Sequence, residues 1–499
     1  MLNTNTKIVK ESAISFFGMS FGQMIRYLFT TLLARWAGLE LLGIYSIANA
    51  ITRIFEVIGK LGLDQGVLRA VSREDNIEKK QKLILSALKM SLISAMLFMI
   101  IQIFISHWLT KYFFNQSSLL AKVIIIHALS LPFYILIHIS ASSTQAFKIL
   151  KYKIFVSEIQ NPFILLSTMI LFYFYFSLET IITFPVLISS VLGFFSINIF
   201  LKGITGVNIL FIDSGEFNKE LINYSLPIMF ISILGTILHW TDILMLGYYE
   251  SPQVVGLYHP SARTAGIIRI IFLAFSGIYG PILAQMYVKK QINEMNLMFK
   301  TVTRWIITLT LPCIIFLCLY PKKIMLIFGA NFIGAYPILI ILSIAAFIQA
   351  IFGIGGTSLN MTGFPKVNLF NTLVACGLNI GLNFILIPKY AGIGAASSTL
   401  ITLTLIASLR LFQNYKLLQL YPFSWKILKP IISAMLVLFI SYFIKPFLMS
   451  YHTIITLFSS SIIIFSLYFI LLFILGIDDD DYGLINDIKN KLFNYKADR

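Results

Sequence analysis

Charged residues are scarce in this chain, and acidic residues are scarcer than basic ones. Of the 499 residues 12% are charged, with 38 Lys and Arg against 21 Asp and Glu, whereas 58% are hydrophobic. This share of charge excludes an ordinary soluble globular domain, which carries about 25% charged residues. Apolar runs of about 20 residues, the length of a membrane-spanning helix, recur along the whole chain. The sequence therefore predicts a polytopic membrane protein.

Cysteine is rare as well, with three residues in the chain. Cys313, Cys318 and Cys376 fall within or beside apolar runs, where a buried thiol usually packs as a small hydrophobic side chain. The sequence contains no metal-ligand, paired-carboxylate or activated-nucleophile pattern. We therefore expect no disulfide, metal site, cofactor or catalytic residue, and a protein that is not an enzyme.

Apolar runs bounded by charges and turn residues predict an all-α fold with about fourteen transmembrane helices. The polar segment 1–12 leads directly into a run that is too long for the core of a signal peptide, so we expect the first helix to be its own insertion signal. The predicted helices are 12–35, 41–63, 83–105, 119–142, 157–176, 180–200, 221–247, 255–278, 302–320, 335–357, 369–388, 393–412, 430–448 and 454–476.

The distribution of Lys and Arg predicts that both termini are cytoplasmic. With that orientation most basic residues outside the spans lie in cytoplasmic segments such as 68–82, 147–153 and 288–300, in agreement with the positive-inside rule. The net charge of +17 is then mainly a signal of topology, with attraction to anionic lipid headgroups as a side effect. It does not indicate nucleic acid as a partner.

After the last predicted span, residues 477–499 form a cytoplasmic tail. A helix there would bring Leu484, Ile485, Ile488 and Leu492 onto one face with lysines nearby, which suits a helix that lies on the inner leaflet. A solvated tail is the alternative, and the sequence does not decide between the two.

A weak internal repeat divides the predicted helices into two lobes. LLGIYSIA (41–48) matches VVGLYHPS (254–261), and at nearly the same offset the segment 146–155 falls on 360–369. Each repeat contains six helices, so both lobes have the same orientation, as in many transporters that work by alternating access. The predicted division is an N-terminal lobe over 1–212, a C-terminal lobe over 213–420, and two further helices within 421–476.

Five segments carry a family pattern. They are ARWAGLELLGIYS (34–46), DILMLGYYESPQVVGLYHPSAR (242–263), IFGANFIGAYPILIIL (327–342), SLNMTGFPK (358–366) and LNIGLNFILIPKYAGIGAASSTL (378–400). Together they resemble the polysaccharide-exporter branch of the multidrug/oligosaccharidyl-lipid/polysaccharide (MOP) flippase superfamily, which includes the Wzx-type O-antigen and capsule flippases. One position departs from the pattern, because Ala391 precedes Gly392 where the family usually has the glycine directly after the tyrosine. We expect this departure to affect only a turn.

The resemblance implies a flippase with a MATE-like fold in the bacterial inner membrane. Its substrate would be an undecaprenyl-pyrophosphate-linked oligosaccharide, such as an O-antigen or capsule repeat unit, which moves from the cytoplasmic to the periplasmic leaflet by alternating access. The implied partners are the lipid-linked oligosaccharide, membrane lipids, and the glycan polymerase and chain-length machinery.

The stretch IANAITRIFEVIGK (47–60) places a polar stripe on a predicted membrane helix. The spacing of its polar residues brings all of them onto one helical face. A charge that faces lipid at the bilayer centre costs about 2.5–3.5 kcal/mol, so these residues should face protein, water or a charged ligand. The stripe consists of Asn49, Arg53, Glu56 and Lys60.

Basic residues within the predicted spans mark the candidate substrate site. Arginine suits a pyrophosphate because its planar fork binds two oxygens at once and never loses its charge. The related lipid II flippases likewise hold arginines on helices 1, 2 and 8. Arg269 lies about 240° around the predicted helix from Arg263, so we expect it to contribute less. The candidate substrate-binding residues are Arg26, Arg53, Arg263, Asn49, Lys60 and Arg269.

Acidic residues in the spans leave two interpretations open. Glu56 either partly neutralises the charges of Arg53 and Lys60 or forms with them a purely structural ladder of ion pairs. Asp242 and His239, three residues apart on one helical face, form either a proton- or sodium-coupling site or a structural pair in which Asp242 bridges to an arginine. For Asp242 we favour the structural pair.

Two other functions are alternatives to a flippase. A MATE-type cation or drug antiporter needs an acidic cavity, but we count only Glu56 and Asp242 as acidic residues within the predicted spans. A membrane glycan polymerase or ligase would need a sizeable external loop and no two-lobe repeat. Both patterns favour the flippase.

Overall fold

The computed structural model describes residues 2–114, 117–208 and 216–476, with side chains from residue 17 onward. Within those ranges the regular structure is helical and contains no β-strand. The all-α prediction is therefore confirmed. The tail over 477–499, for which the sequence offered a surface helix, lies outside the described residues.

Eight α-helices lie between residues 2 and 205. They are α1 (Leu2–Gly59), α2 (Leu63–Arg73), α3 (Ile77–Trp108), α4 (Ser118–Ala146), α5 (Lys151–Ile154), α6 (Asn161–Tyr175), α7 (Leu178–Ile181) and α8 (Phe184–Thr205). Two π-helical turns, Leu109–Phe113 after α3 and Phe155–Gln160 between α5 and α6, extend these helices.

Nine further α-helices follow. They are α9 (Lys219–Tyr249), α10 (Pro252–Ala265), α11 (Ile267–Val288), α12 (Ile292–Leu319), α13 (Pro321–Leu326), α14 (Tyr336–Met361), α15 (Pro365–Leu418), α16 (Leu428–Met449) and α17 (Thr453–Ile474). Short 3₁₀ turns precede α14 and α16.

Twelve helical segments of the described chain are long and apolar enough to cross a membrane. Two of them, Phe17–Arg73 and Pro365–Leu418, contain 57 and 54 residues. With a rise of 1.5 Å per residue, each can cross a hydrocarbon core of about 30 Å twice. Counting these two segments as two crossings each gives the fourteen helices that the sequence predicts.

Both long helices are interrupted near the middle. α1 leaves helical geometry at Gly38, with φ 75°, and α15 does so at Ala391, with φ 48° and ψ −128°. Glycine adopts a positive φ without steric cost, whereas alanine at such an angle is strained. The departure from the family pattern thus falls on the turn itself, as expected, and leaves both flanking helices intact.

The predicted helix 255–278 is wrong in one respect, because the chain forms two helices there. α10 ends at Ala265, Gly266 interrupts the helix, and α11 begins at Ile267. Glycine is less favourable than alanine in a helix by about 1 kcal/mol, so a break in the helix at Gly266 sacrifices little helix stability. The angle of about 240° between Arg263 and Arg269, which assumed one continuous helix, therefore does not apply.

The chain forms two compact units. The first contains residues 1–263, 328–332 and 372–398, and the second contains 264–327, 333–371 and 399–499. The division follows contacts within each unit and not the sequence repeat, so the two six-helix lobes stay a prediction.

Each unit has its own apolar core. In the first unit Leu63 of α2, Leu88 of α3 and Ile139 of α4 are fully buried in one hydrophobic cluster. In the second unit Ile307 of α12 and Ile351 of α14 pack together in another cluster. Because these buried contacts hold the helices in place, they also hold the polar side chains that the same helices carry.

Candidate anion-binding site in the first unit

Close packing of α1 against α10 positions the site. A Cβ atom at Gly43 of α1 would collide with the carbonyl oxygen of Pro252, and one at Gly256 of α10 would collide with that of Leu39. Small residues at such contacts let two helix backbones approach closely, which is the usual packing of helices in membranes. Arg263, two turns after Gly256 on α10, is thereby held in the same unit as the polar stripe of α1.

Glu56 is the centre of a buried ion cluster. Its side chain is only 4% exposed, and it accepts from Arg53 Nη1 at 2.5 Å and from Lys60 Nζ at 3.2 Å. His138 Nε2 of α4 lies 3.1 Å from Oε1, the oxygen that also accepts from Lys60, whereas Arg53 donates to Oε2. The spacing of three and four residues along α1 puts Arg53 and Lys60 beside Glu56, whereas nothing in the sequence spacing indicates His138.

Arg53 keeps most of its donors available. Among the described residues its guanidinium donates only the hydrogen bond to Glu56, although a guanidinium carries five N–H donors. Its Cζ lies 4.8 Å from the centroid of the Tyr134 ring, a cation–π contact that stabilises the guanidinium at this position. The Arg53 side chain is 35% exposed, so the remaining donors can reach a ligand.

Arg26 is anchored to a neighbouring π-helical turn. Its Nη1 lies 2.8 Å from Glu158 Oε2, and its Nη2 donates to the carbonyl oxygen of Ser157 at 2.9 Å. Gly22, one turn before Arg26, permits this contact because a Cβ there would collide with the Glu158 carbonyl oxygen. Both charged side chains are 26% exposed.

Glu158 corrects the sequence-based count of acidic residues. The predicted span 157–176 already contains Glu158, so the count of two acidic residues was one too low. In the structure the candidate span runs from Lys151 to Tyr175, and Glu158 lies well inside it. The available signal was the carboxylate itself, within an apolar run that the sequence marks as a span.

Arg263 completes a group of three arginines in the first unit. Its charge is close enough to those of Arg26 and Arg53 to be repelled by both, and Tyr45 of α1 lies near it. Within the part of the chain that the structure describes, no carboxylate lies within 4 Å of Arg263. Three arginines and Lys60 thus share two carboxylates, Glu56 and Glu158, which leaves an excess of positive charge.

The two remaining candidates belong to different units. Asn49 is half-buried on α1, one turn before Arg53. Arg269 lies on α11, is exposed, and belongs to the second unit. The stripe of α1 is therefore present as one polar face, and Arg269 is the candidate that the first unit does not contain.

Asp242 of α9 lies in a separate cluster of hydrogen bonds in the first unit. It accepts from Tyr258 at 2.5 Å, from Asn383 at 2.7 Å and from Asn379 at 3.3 Å. All four side chains are buried, and Asn383 also donates to Asn379 at 3.2 Å. Tyr258, Asn379 and Asn383 thus supply hydrogen bonds of the kind that a buried carboxylate requires.

His239 precedes Asp242 by one turn on α9. Its ring meets that of Trp240 edge-on, with 5.0 Å between the centroids, and it lies near the buried His259 of α10. Asn379 and Asn383 were not among the site residues predicted from the sequence. Their spacing of four residues in LNIGLN, inside an apolar span, was the available signal.

Asp242→Asn should lower stability and transport together. The change removes the negative charge that three donors share, so we expect the free energy of unfolding to fall by about 1–3 kcal/mol. Thermal stability of the purified protein and transport at matched protein level measure the two effects. Tyr258→Phe removes one donor and keeps the charge, so its effects should be smaller. Normal stability without transport in Asp242→Asn would instead identify an ion-coupling site.

Comparison with protein families identifies two related models. The model described as polysaccharide biosynthesis protein matches residues 8–287, which is more than half of the chain. The model described as MatE matches residues 227–385. Among curated proteins, the chain is 27% identical over 182 residues to a probable low-salt glycan biosynthesis flippase, Agl15, of Haloferax volcanii. That match covers 36% of this chain and 39% of the relative, so the chain matches less than two fifths of the length of that relative.

Solved structures share the fold. The inward closed conformation of the lipid II flippase MurJ superposes with a TM-score of 0.76 at 19% identity, covering 94% of this chain and 98% of that one. An inward-facing multidrug resistance MATE family transporter of the MOP superfamily superposes with a TM-score of 0.68 at 12% identity, covering 81% of this chain and 98% of that one. The chain therefore has the fold that these two transporters share, in agreement with the MATE-like fold that the sequence predicts.

Proposed function

The chain belongs to the polysaccharide biosynthesis protein family, and from this premise we propose that it is a flippase for a lipid-linked oligosaccharide. The substrate we propose is an undecaprenyl-pyrophosphate-linked repeat unit, which moves from the cytoplasmic to the periplasmic leaflet of the bacterial inner membrane. Both termini are cytoplasmic in this proposal. The function of the glycan biosynthesis flippase that this chain resembles supports the choice of substrate class.

The excess of cations in the first unit is the observation that carries the proposal. Arg26 pairs with Glu158 and Arg53 with Glu56, and Arg263 adds a third cation that both other arginines repel. Cations within membrane helices are expensive unless a partner offsets the loss of water. A pyrophosphate supplies dense negative charge and many acceptor oxygens, so it is a suitable partner for arginine forks.

Each residue has a defined part in this mechanism. Arg53 contacts the pyrophosphate with the donors that Glu56 leaves unused, and Arg263, which has no carboxylate within reach among the described side chains, contacts it from α10. Arg26 turns from Glu158 toward the substrate. Asn49 and Lys60 extend the polar stripe along α1. We assign Arg269, which belongs to the second unit, a smaller part than the three arginines of the first unit.

Glu158 and Glu56 hold Arg26 and Arg53 while no substrate is bound. A carboxylate beside each of these two forks lowers the cost of the empty state. The substrate replaces Glu158 at Arg26, and at Arg53 it adds to Glu56 by using the remaining donors. Alternating access of the two lobes, 1–212 and 213–420, then carries the headgroup across, and Asp242 and His239 have structural roles within the protein.

The sign of the charge argues against a cation antiporter. A MATE-type carrier of organic cations would need an acidic site, whereas the arginines in the first unit outnumber the carboxylates beside them. The connections between the helices are too short for the catalytic domain of a polymerase or ligase. A glycan polymerase and its chain-length machinery are instead proposed partners that act after translocation.

Depletion of the protein in its own cells tests the proposal. We expect lipid-linked oligosaccharide to accumulate in the cytoplasmic leaflet while surface glycan is lost, because synthesis of the substrate continues without its transport. The leaflet is identified by protection of the glycan from an impermeant glycosidase added to intact cells, compared with lysed cells. Unchanged surface glycan after complete depletion would contradict the proposed function.

A further inference from the structure

The second unit contains a half-buried arginine, Arg410, near the C-terminal end of α15, and none of the described carboxylates forms an ion pair with it. We propose that Arg410 and the amide side chains around it form a second anion-binding site, which takes a phosphate group. This inference rests on the proposed function for the source of the phosphate, the headgroup of a polyprenyl-linked glycan. Its geometry comes entirely from the second unit and is independent of the arginines of α1 and α10.

Two glycines of α14 form the floor of the site. A Cβ at Gly356 would lie 3.1 Å from Arg410 Cζ and 3.2 Å from its Nε, and a Cβ at Gly355 would lie 2.9 Å from Asn414 Nδ2. The guanidinium therefore rests directly on the α14 backbone, in a space that any larger side chain would fill. Such contact fixes the plane of the fork and leaves its other face and edges for a ligand.

The hydrogen bonds of Arg410 are incomplete. Nη2 donates to Asn368 Oδ1 at 3.2 Å, and Nε is buried without a hydrogen-bond partner in the described structure. No carboxylate of the described residues lies within 4 Å of the guanidinium. A buried donor without a partner costs about 1–3 kcal/mol, and more when it is charged. An anion at this point would satisfy both the charge and the donor.

Amide side chains set the shape of the site. Asn371 and Gln413 donate to each other at 2.7 and 2.9 Å, which ties the start of α15 to its end. Asn414 donates to the carbonyl oxygens of Gly355 and Arg410 at 3.1 and 2.8 Å. These bonds hold Arg410 in one orientation, so the site is preorganised and a ligand would not have to order it.

The site is open on one side. Asn360, at the end of α14, is exposed and accepts from Asn368 Nδ2 at 3.2 Å, and Arg410 itself is only half-buried. A ligand that approaches from the exposed asparagine would reach the guanidinium through Asn368. A phosphate fits this path because its several acceptor oxygens can bind a fork and an amide together. A lone structural cation would more often be paired with a carboxylate.

Ligand binding by the purified full chain in uncharged phosphatidylcholine nanodiscs tests the site. The probes are farnesyl pyrophosphate and inorganic pyrophosphate, and the variants are Arg410→Gln and Asn368→Ala. Lys416→Gln is the matched control, because it removes an equal charge from an exposed lysine of the same helix. We expect Arg410→Gln to weaken binding of farnesyl pyrophosphate to its site in the second unit at least tenfold, Asn368→Ala to weaken it less, and Lys416→Gln to change it less than twofold.

To isolate this site, all variants are made in a protein that also carries Arg53→Ala. Tighter binding of farnesyl pyrophosphate than of inorganic pyrophosphate supports a lipid headgroup as the source. If farnesyl pyrophosphate and inorganic pyrophosphate bind equally well and Arg410→Gln abolishes the binding of both, the anion site is supported and its ligand is a soluble phosphate. Unchanged binding in Arg410→Gln, together with a lower melting temperature, would show that Arg410 only clamps α14 to α15 and would overturn the inference. That result would leave the proposed function standing, whereas normal surface glycan after depletion of the protein would contradict the function and not the anion site.

Discussion

Arg53→Ala should lower the affinity for the lipid-linked pyrophosphate by about 10- to 150-fold. Loss of one charge-assisted contact is worth about 1.5–3 kcal/mol, which converts to that range. The effect is expected to be large because the Arg53 fork has most of its donors free and is held in place by Glu56 and Tyr134. The measurement is accumulation of cytoplasm-facing lipid-linked oligosaccharide at matched protein level.

Further arginine variants separate charge from geometry. Arg53→Lys keeps the charge and loses the bidentate fork, so it should restore transport only in part. Arg26→Ala and Arg263→Ala should resemble Arg53→Ala, because the three charges act on one region of the first unit. Arg269→Ala, in the other unit, is the control and should be milder. Normal transport in Arg53→Ala, with only a lower melting temperature, would mean that the stripe is a structural ladder of ion pairs.

Glu56→Ala should destabilise the protein more than any other single change in the first unit, by about 3–5 kcal/mol of unfolding free energy. Glu56 is 4% exposed and is the common partner of Arg53, Lys60 and His138. Its removal leaves three donors, two of them cations, around one buried position. Denaturation of the purified protein in detergent, compared with wild type, measures the loss.

Glu158→Ala is the matched control for that prediction. Glu158 also pairs with an arginine, but both partners are 26% exposed, so water can replace the carboxylate. We therefore expect a loss of less than about 1 kcal/mol. If Glu56→Ala and Glu158→Ala had equal free energies of unfolding, the ion cluster around Glu56 would contribute little to stability, and this prediction would be wrong.

The sequence predicts the helices and the polar stripe well because both depend on local periodicity. A run of about 20 apolar residues reports a membrane span, and residues three or four apart on a helix must share a face. The Arg53, Glu56 and Lys60 contacts follow directly from that spacing. The turn at Ala391 was also foreseeable, because the family pattern marks it.

Contacts between helices distant in the sequence could not be predicted in this way. His138 reaches Glu56 from α4, and Glu158 reaches Arg26 across more than a hundred residues. Spacing along one helix contains no information on which other helix packs against it. The same reason explains why Asn379 and Asn383, the partners of Asp242, were not selected.

Translocation by the purified protein in proteoliposomes is the most direct test of the proposed flippase function and of the role of Arg53. A fluorescent undecaprenyl-pyrophosphate-linked oligosaccharide is placed in the inner leaflet, and its appearance outside is followed with an impermeant glycosidase. We predict that wild-type protein moves the lipid far faster than protein-free liposomes do, and that Arg53→Ala moves it at least tenfold more slowly at low substrate concentration. A wild-type rate equal to that of protein-free liposomes would contradict the flippase function. An Arg53→Ala rate equal to the wild-type rate would contradict the proposed role of Arg53 in substrate binding.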